Sequence, residues 1–376
     1  MVYAVIAYAK LLAIPLVVSY HTHVPDYIPK YTWPGEKRKR GGESFLFFFP
    51  GQFFSVSSFS RHLAPLAQTP LPPLSTPPGF VRPMWSLIRF FTRAADLTLV
   101  PSPTMKRVLA ANGTDEAGID VWRQAVDTEF FHPRFRSEEV RARISEGLTA
   151  SDPGAVVLTY VGRLGAEKNL HVLKDLLAAL PPSVCLSLVG DGPAREELEA
   201  HFAGTRTHFT GMIKGDDLAA AYASADIFVM PSETETLGFV ALEAMASGLP
   251  VVAVAAGGLV DIVTRPGDIG FLYPAGDYKA LEDSTRALVK APAERARVAG
   301  LARAHVETLG WLPAVRSVRD GQYSRAIRVF GLKRAAKLVR WKAALKGAAG
   351  AALVALLAVA AWALMGARRL PTGLVA

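Results

Sequence analysis

The chain is poor in cysteine: Cys185 is the only one in 376 residues. An intramolecular disulfide is excluded, and the place of Cys185 inside an apolar run points to a buried structural thiol. Acidic residues are in deficit, with 33 Asp and Glu against 42 Lys and Arg, for a net charge of +9. That balance does not indicate a partner nucleic acid, because the excess collects late, between Arg316 and Lys346, just before an apolar segment. An anionic membrane surface explains the placement more simply than DNA or RNA. No Asp-x-Asp pair flanks a suitable strand, and His21-x-His23 has no third or fourth ligand nearby, so no metal site is expected. The opening apolar residues have neither a charged stretch before them nor a small-residue cleavage site after them, which argues against a signal peptide. Only Ala348 to Met365, an uncharged run of 18 residues with Lys342, Lys346, Arg368 and Arg369 around it, reaches transmembrane length. It reads as a single C-terminal anchor, with a buried helix as the alternative.

What is present is an alternation of short apolar runs and helical patterns, in a chain 51% hydrophobic and long enough for two domains. Val156–Val161, Val184–Val189, Ile227–Met230 and Pro250–Val254 read as buried strands. The stretch Pro231 to Gly248, P-S-E-T-E-T-L-G-F-V-A-L-E-A-M-A-S-G, places Glu235 and Glu243 with seven residues between them. Pro231 ends a strand, and Gly238 opens a helix whose apolar residues are Phe239, Val240, Leu242 and Met245. Glu235 then lies in the loop at the helix N-terminus, where free N–H groups and the helix dipole favour an anion, while Glu243 lies on the helix. Carboxylates beside an anion need hydroxyls to accept from, so the ligand is part phosphate and part sugar, as a nucleotide sugar is. Upstream, Gly162-Arg163-Leu164-Gly165-Ala166-Glu167-Lys168 follows a strand and supplies two cations for a diphosphate. Gly190-Asp191-Gly192-Pro193 and Phe209-Thr210-Gly211 end two further strands. All these loops converge on the carboxyl edge of a parallel sheet, where such sheets bind ligands.

The G-R-L-x-x-E-K, G-D-G-P and E-x7-E-A-M-A-S-G segments resemble, in kind and in order, those of the GT-B glycosyltransferases, in their retaining family 4. Ser19-Tyr20-His21-Thr22-His23-Val24-Pro25, Arg93 to Ser102, Phe131 to Phe135 and Pro231 to Gly238 are similar to the sulfoquinovosyltransferases of plants, algae and cyanobacteria. The resemblance implies an α/β GT-B fold of two Rossmann-like domains facing a cleft. It also implies transfer of sulfoquinovose from UDP-sulfoquinovose to diacylglycerol with retention, no cofactor, and a chloroplast membrane location. Residue by residue it puts Arg163 and Lys168 on the leaving diphosphate, Glu235 on the sugar hydroxyls and Glu243 on the ribose diol. Asp191 and Phe209 to Gly211 would hold uracil, and Gly162, Gly190, Thr236, Leu237 and Gly238 would line the donor, with Gly257 and Gly258 near its sugar. His21 would stand beside the reacting carbon, and His23, Tyr27, Lys30 and Tyr31 would shape the acceptor or sulfonate pocket. Two other readings stay open: a UDP-binding remnant inactive in transfer, and a family 4 enzyme carrying another hexose to a lipid.

These expectations divide the chain into a partial N-terminal acceptor-side domain (1–130), a linker (131–154), a nucleotide-sugar domain (155–310), a basic helix (311–346) and the apolar helix (348–365). Relative to the family, the N-terminal domain reads as lacking its first βα units. Residues 34–81, with a basic cluster, a Phe-rich run and paired prolines, read as a disordered insertion, either a faulty gene model or a membrane-touching loop. Ala125-Val126-Asp127 carries a methyl where the family has glycine. Further expected elements are a helix over Met84 to Ala95, a strand over Leu97 to Val100, and a helix to Ala111 capped by Ser102.

Overall fold

The structure, a computed structural model, describes residue 6, residues 9–20, 46–49, 52–55 and 78–367. Its first sheet has three parallel strands in the order β1 (Val17–Ser19), β4 (Leu97–Val100), β5 (Ile119–Val121). The middle strand is buried along its whole length, Thr98 included. Within the 34–81 segment the described backbone is a hairpin of β2 (Leu46–Phe49) and β3 (Gln52–Ser55), antiparallel with Phe49 opposite Gln52, and it joins neither other sheet. Helix α1 (Pro78–Ala94) begins before the expected Met84, with Pro83 inside it. Helix α2 (Pro103–Ala111) begins where Ser102 predicts: the Ser102 hydroxyl accepts from the Met105 N–H at 3.2 Å, and Pro103 follows as the first helical residue.

After a connection carrying α3 (Glu138–Ile144) and α4 (Leu148–Ser151), the chain builds the second sheet. Its elements in chain order are β6 (Val156–Val161), α5 (Val172–Ala179), β7 (Val184–Val189), α6 (Arg195–His201), β8 (Thr207–Gly211) and α7 (Asp216–Ser224). They continue with β9 (Ile227–Met230), α8 (Phe239–Ala246), β10 (Val251–Val254), α9 (Leu259–Ile262) and β11 (Phe271–Tyr273). The six strands are all parallel, in the order β11-β10-β9-β6-β7-β8. The chain runs outward from β6 through β7 to β8, then crosses back to lay β9 on the other side of β6. The reversal falls between β6 and β9, and the loops leaving their carboxyl ends are Gly162 to Lys168 and Pro231 to Gly238. A doubly wound sheet opens its ligand crevice at such a reversal.

Helix α10 (Tyr278–Lys290) packs on β10 and β11, and α11 (Pro292–Val306) packs on α8 and α10 and returns the chain to the connection. There Arg303 donates to the carbonyls of Thr128 at 3.0 Å and Phe131 at 2.8 Å, and also to that of Ala246 at the end of α8. Helix α12 (Trp311–Arg316) then runs through a π-helical turn, Ser317–Gln322, into α13 (Tyr323–Ala367). This last helix docks on the first sheet. Gln322 donates to the Val121 carbonyl at 2.8 Å, Arg325 to Asp120 at 2.9 Å and Lys333 to the Ala95 carbonyl at 2.8 Å, while Ala326 packs with Leu97 and Leu99. From Gly347 to Ala360 the helix is exposed and uncharged. By length and composition it can cross a membrane, with an 18-residue window of mean hydropathy 2.0 and none of that window buried.

Candidate active site

The loops at the carboxyl edge of the second sheet lie side by side in the order of their strands, joined backbone to backbone. Gly162 donates to the Val189 carbonyl at 2.9 Å, Leu164 to that of Asp191 at 3.0 Å, Gly190 to that of Gly211 at 2.9 Å and Gly258 to that of Glu235 at 2.6 Å. The approach is too close for side chains. A Cβ on Gly190 would stand 1.9 Å from the Gly162 carbonyl oxygen, and one on Gly257 would stand 2.2 Å from that of Glu235. Gly190 also has a φ of +139°, so glycine is required there twice over. Gly257 and Gly258 thus support the loop that carries Glu235.

The two central loops meet through side chains. Lys168 and Glu235 form an ion pair across the gap between β6 and β9, both largely buried, with side chains 12% and 14% exposed. The Thr234 hydroxyl reaches the Glu167 carbonyl at 3.5 Å. Arg163 stands further out, with its Nη2 3.6 Å from the Glu167 carboxylate. Gly238, at φ +85°, turns the chain into α8 and aims its first N–H groups at the same crevice. Helix α8 buries Ala241, Leu242, Ala244, Met245 and Ala246, so Glu243 is a polar residue on an otherwise buried face. Its carboxylate accepts from the Tyr222 hydroxyl at 2.9 Å. Burial pushes its pKa above the ordinary glutamate value, and the Tyr222 hydrogen bond opposes that shift.

The expected donor-side residues are therefore brought to one edge: Gly162, Arg163, Lys168, Gly190, Asp191, Glu235, Thr236, Leu237 and Gly238 lie on these loops, Phe209 and Gly211 in the last residues of β8, and Glu243 on α8. Three details go beyond the sequence reading. Lys168 is paired with Glu235. The Leu237 side chain is in the core at 4% exposure, leaving only its backbone for a ligand. Phe239, one of the apolar residues named for the helix, is exposed and meets Trp122 at 5.9 Å and Trp311 at 6.3 Å between ring centres, bridging the end of β5 to α12. His21, His23, Tyr27, Lys30 and Tyr31 lie outside the described residues. Tyr222 gave no signal in the sequence, sitting in an alanine-rich helix 21 positions before its partner. Glu167 was visible in the G-R-L-x-x-E-K segment but had no role. Cys185 is buried in β7, and burial pushes its thiol up to about 11, as expected of a structural cysteine.

The first sheet contributes from across the crevice. The Thr104 N–H, in the first turn of α2, donates to Asp261 of α9 at 2.9 Å. This satisfies a helix-end donor that would otherwise need water.

Two sheets of parallel strands, with the loops described above on the carboxyl edge of the second, give the chain an α/β GT-B fold. Residues 155–291 match the family of glycosyl transferases group 1. Sulfoquinovosyl transferase SQD2 of Arabidopsis thaliana is 42% identical over 330 residues, covering 87% of this chain and 55% of that protein. A GDP-mannose-dependent alpha-mannosyltransferase of Mycobacterium tuberculosis is 38% identical over 256 residues, covering 65% of this chain and 64% of that one. The chain thus spans less than two thirds of these relatives. HepE of Anabaena, solved in complex with UDP and glucose, shares the fold with a TM-score of 0.59 at 24% identity, over 66% of this chain and 69% of that one.

Proposed function

We propose that the chain is a retaining glycosyltransferase that moves sulfoquinovose from UDP-sulfoquinovose to diacylglycerol. The observation that carries this reading is the meeting of Lys168 and Glu235 at the sheet's reversal point, beside the N-terminus of α8. A cation and a hydroxyl-accepting carboxylate then stand together where a diphosphate joins a sugar. The substrate is supported by the likeness to the Arabidopsis enzyme.

In the reaction the bond from the anomeric carbon to the diphosphate oxygen breaks and its electron pair leaves on UDP, while a bond to the acceptor hydroxyl oxygen forms on the same face and the proton of that hydroxyl passes to the departing diphosphate oxygen. Lys168 and Arg163 stabilise the charge on the departing diphosphate, the largest contribution the chain's own residues offer. Glu235 accepts from sugar hydroxyls, and Glu243, oriented by Tyr222, accepts from the ribose diol. The Gly162, Gly190 and Gly238 backbones and Thr236 and Leu237 line the donor. Asp191 with Phe209 to Gly211 encloses uracil, and His21 acts at the reacting carbon. The exposed apolar end of α13, approached by basic residues, holds the protein on a chloroplast membrane with anionic lipids, where diacylglycerol resides. The first sheet belongs to the acceptor-side domain and residues 155–310 to the donor-side domain.

Calorimetric titration of the full chain with UDP and with GDP tests the donor. The expected result is binding of UDP well above that of GDP. Equal or tighter binding of GDP would refute the uridine assignment.

A further inference from the structure

Glu167 stands between the two cations in sequence, on the turn Ala166–Lys168 that follows β6. Its side chain is 1% exposed, whereas Arg163 is 46% exposed. A carboxylate is costly to bury, so one held under a ligand loop needs a charge opposite it. Arg163 supplies that charge at 3.6 Å, beyond hydrogen-bond length, so the contact is ionic. The same carboxylate rests on Gly165. A Cβ there would lie 2.3 Å from Oε2 and 2.6 Å from Oε1 of Glu167. Gly165 has a φ of −126°, extended backbone open to any residue, so the position needs glycine for the space and not for the conformation. Gly165 and Glu167 therefore act as one device, a seat and the charge placed on it.

Buried as it is, Glu167 cannot reach a donor. Arg163 can, and a half-exposed arginine loses much side-chain freedom when it engages a ligand unless something already orients it. We propose that Glu167 is a positioning residue. Seated on Gly165, its carboxylate holds the Arg163 guanidinium over the Gly162 to Lys168 loop in the orientation that meets a diphosphate. It thereby sets the preference for a nucleoside diphosphate over a monophosphate. The inference rests on the donor reading of this site.

The test uses the full chain and two probes, UDP and UMP. Glu167→Gln keeps the side chain's shape and removes its charge. It is expected to weaken UDP binding about tenfold while leaving UMP within about twofold, as lost preorganisation of a single charged contact does. Gly165→Ala displaces the carboxylate without touching it chemically and is expected to give the same selective loss. The double variant is expected to lose no more than either single one, since the two changes act on one contact. A purely structural role would lower UDP and UMP binding together, and that result, or unchanged UDP binding in Glu167→Gln, would overturn the inference. Should Glu167→Gln fail to fold, Gly165→Ala decides by the same two outcomes. An unsubstituted chain that binds neither probe would overturn the donor reading itself, and the inference with it.

Discussion

Lys168 and Glu235 are 67 positions apart and meet because β6 and β9 are neighbours in the sheet. Their ion pair sets opposite charges together in a largely buried place, and each has a separate task once a donor binds. Lys168→Ala is expected to lower transfer by about 10² to 10³, the range seen when one donor to a developing negative charge is removed. Its folding stability should fall by only about 1 to 3 kcal/mol, the cost of leaving one carboxylate without its partner. Transfer rates measured beside chemical denaturation separate the two. Glu243 makes a prediction in pH. Its folded pKa is raised by burial, so between the ordinary value of 4.5 and that raised value the folded chain holds a proton that the unfolded chain has lost. This group's effect on stability is most favourable at low pH and declines as pH rises through the folded pKa. Ligand binding runs the other way, because ribose hydroxyls need the ionised carboxylate as acceptor. UDP affinity should fall as pH drops through the folded pKa. In Tyr222→Phe, which removes the hydrogen bond opposing the shift, the fall should begin at higher pH. Identical pH profiles for the two proteins would remove Glu243 from the ribose site.

At the scale of elements, the site is a row of loops held by glycine contacts. Gly190→Ala would set a methyl against the Gly162 carbonyl, and the β6 and β7 loops would have to separate. The expected cost is about 3 kcal/mol in denaturant unfolding, together with weaker UDP binding. Gly204→Ala, at a position with open space around it but a φ of +76°, should cost less and leave binding intact. Much of this architecture was legible beforehand. Strands buried on both faces appear as continuous apolar runs, so Val156–Val161, Val184–Val189 and Ile227–Met230 agree with their expected limits. Ser102 marked its helix because a cap is a local contact. What stayed hidden was tertiary: the Tyr222 hydroxyl on Glu243, the Lys168 to Glu235 pairing, and Phe239 turned outward to two tryptophans. None of these has a local signature, since each partner arrives from a distant part of the chain.

Among the described residues, the connection pinned by Arg303 and the return of α13 tie the second sheet to the first. Arg325 and Lys333 fix α13 to Asp120, Asp96 and the Ala95 carbonyl before its apolar stretch begins. The basic stretch is thus partly a fastening to the first sheet and partly exposed. A chain ending after Lys346 keeps every one of these fastenings. It is expected to bind UDP as the full chain does and to lose flotation with vesicles of anionic lipid, whereas continued flotation would place membrane contact elsewhere. The measurement that bears most directly on the proposed reaction is transfer itself. The full chain would be incubated with UDP-sulfoquinovose and vesicles containing diacylglycerol, beside Lys168→Ala, with the product's anomeric configuration read by NMR. The expected result is sulfoquinovosyl diacylglycerol of retained configuration, formed by the unsubstituted chain and nearly absent with Lys168→Ala. UDP bound without any transfer, or product formed equally by both proteins, would contradict it.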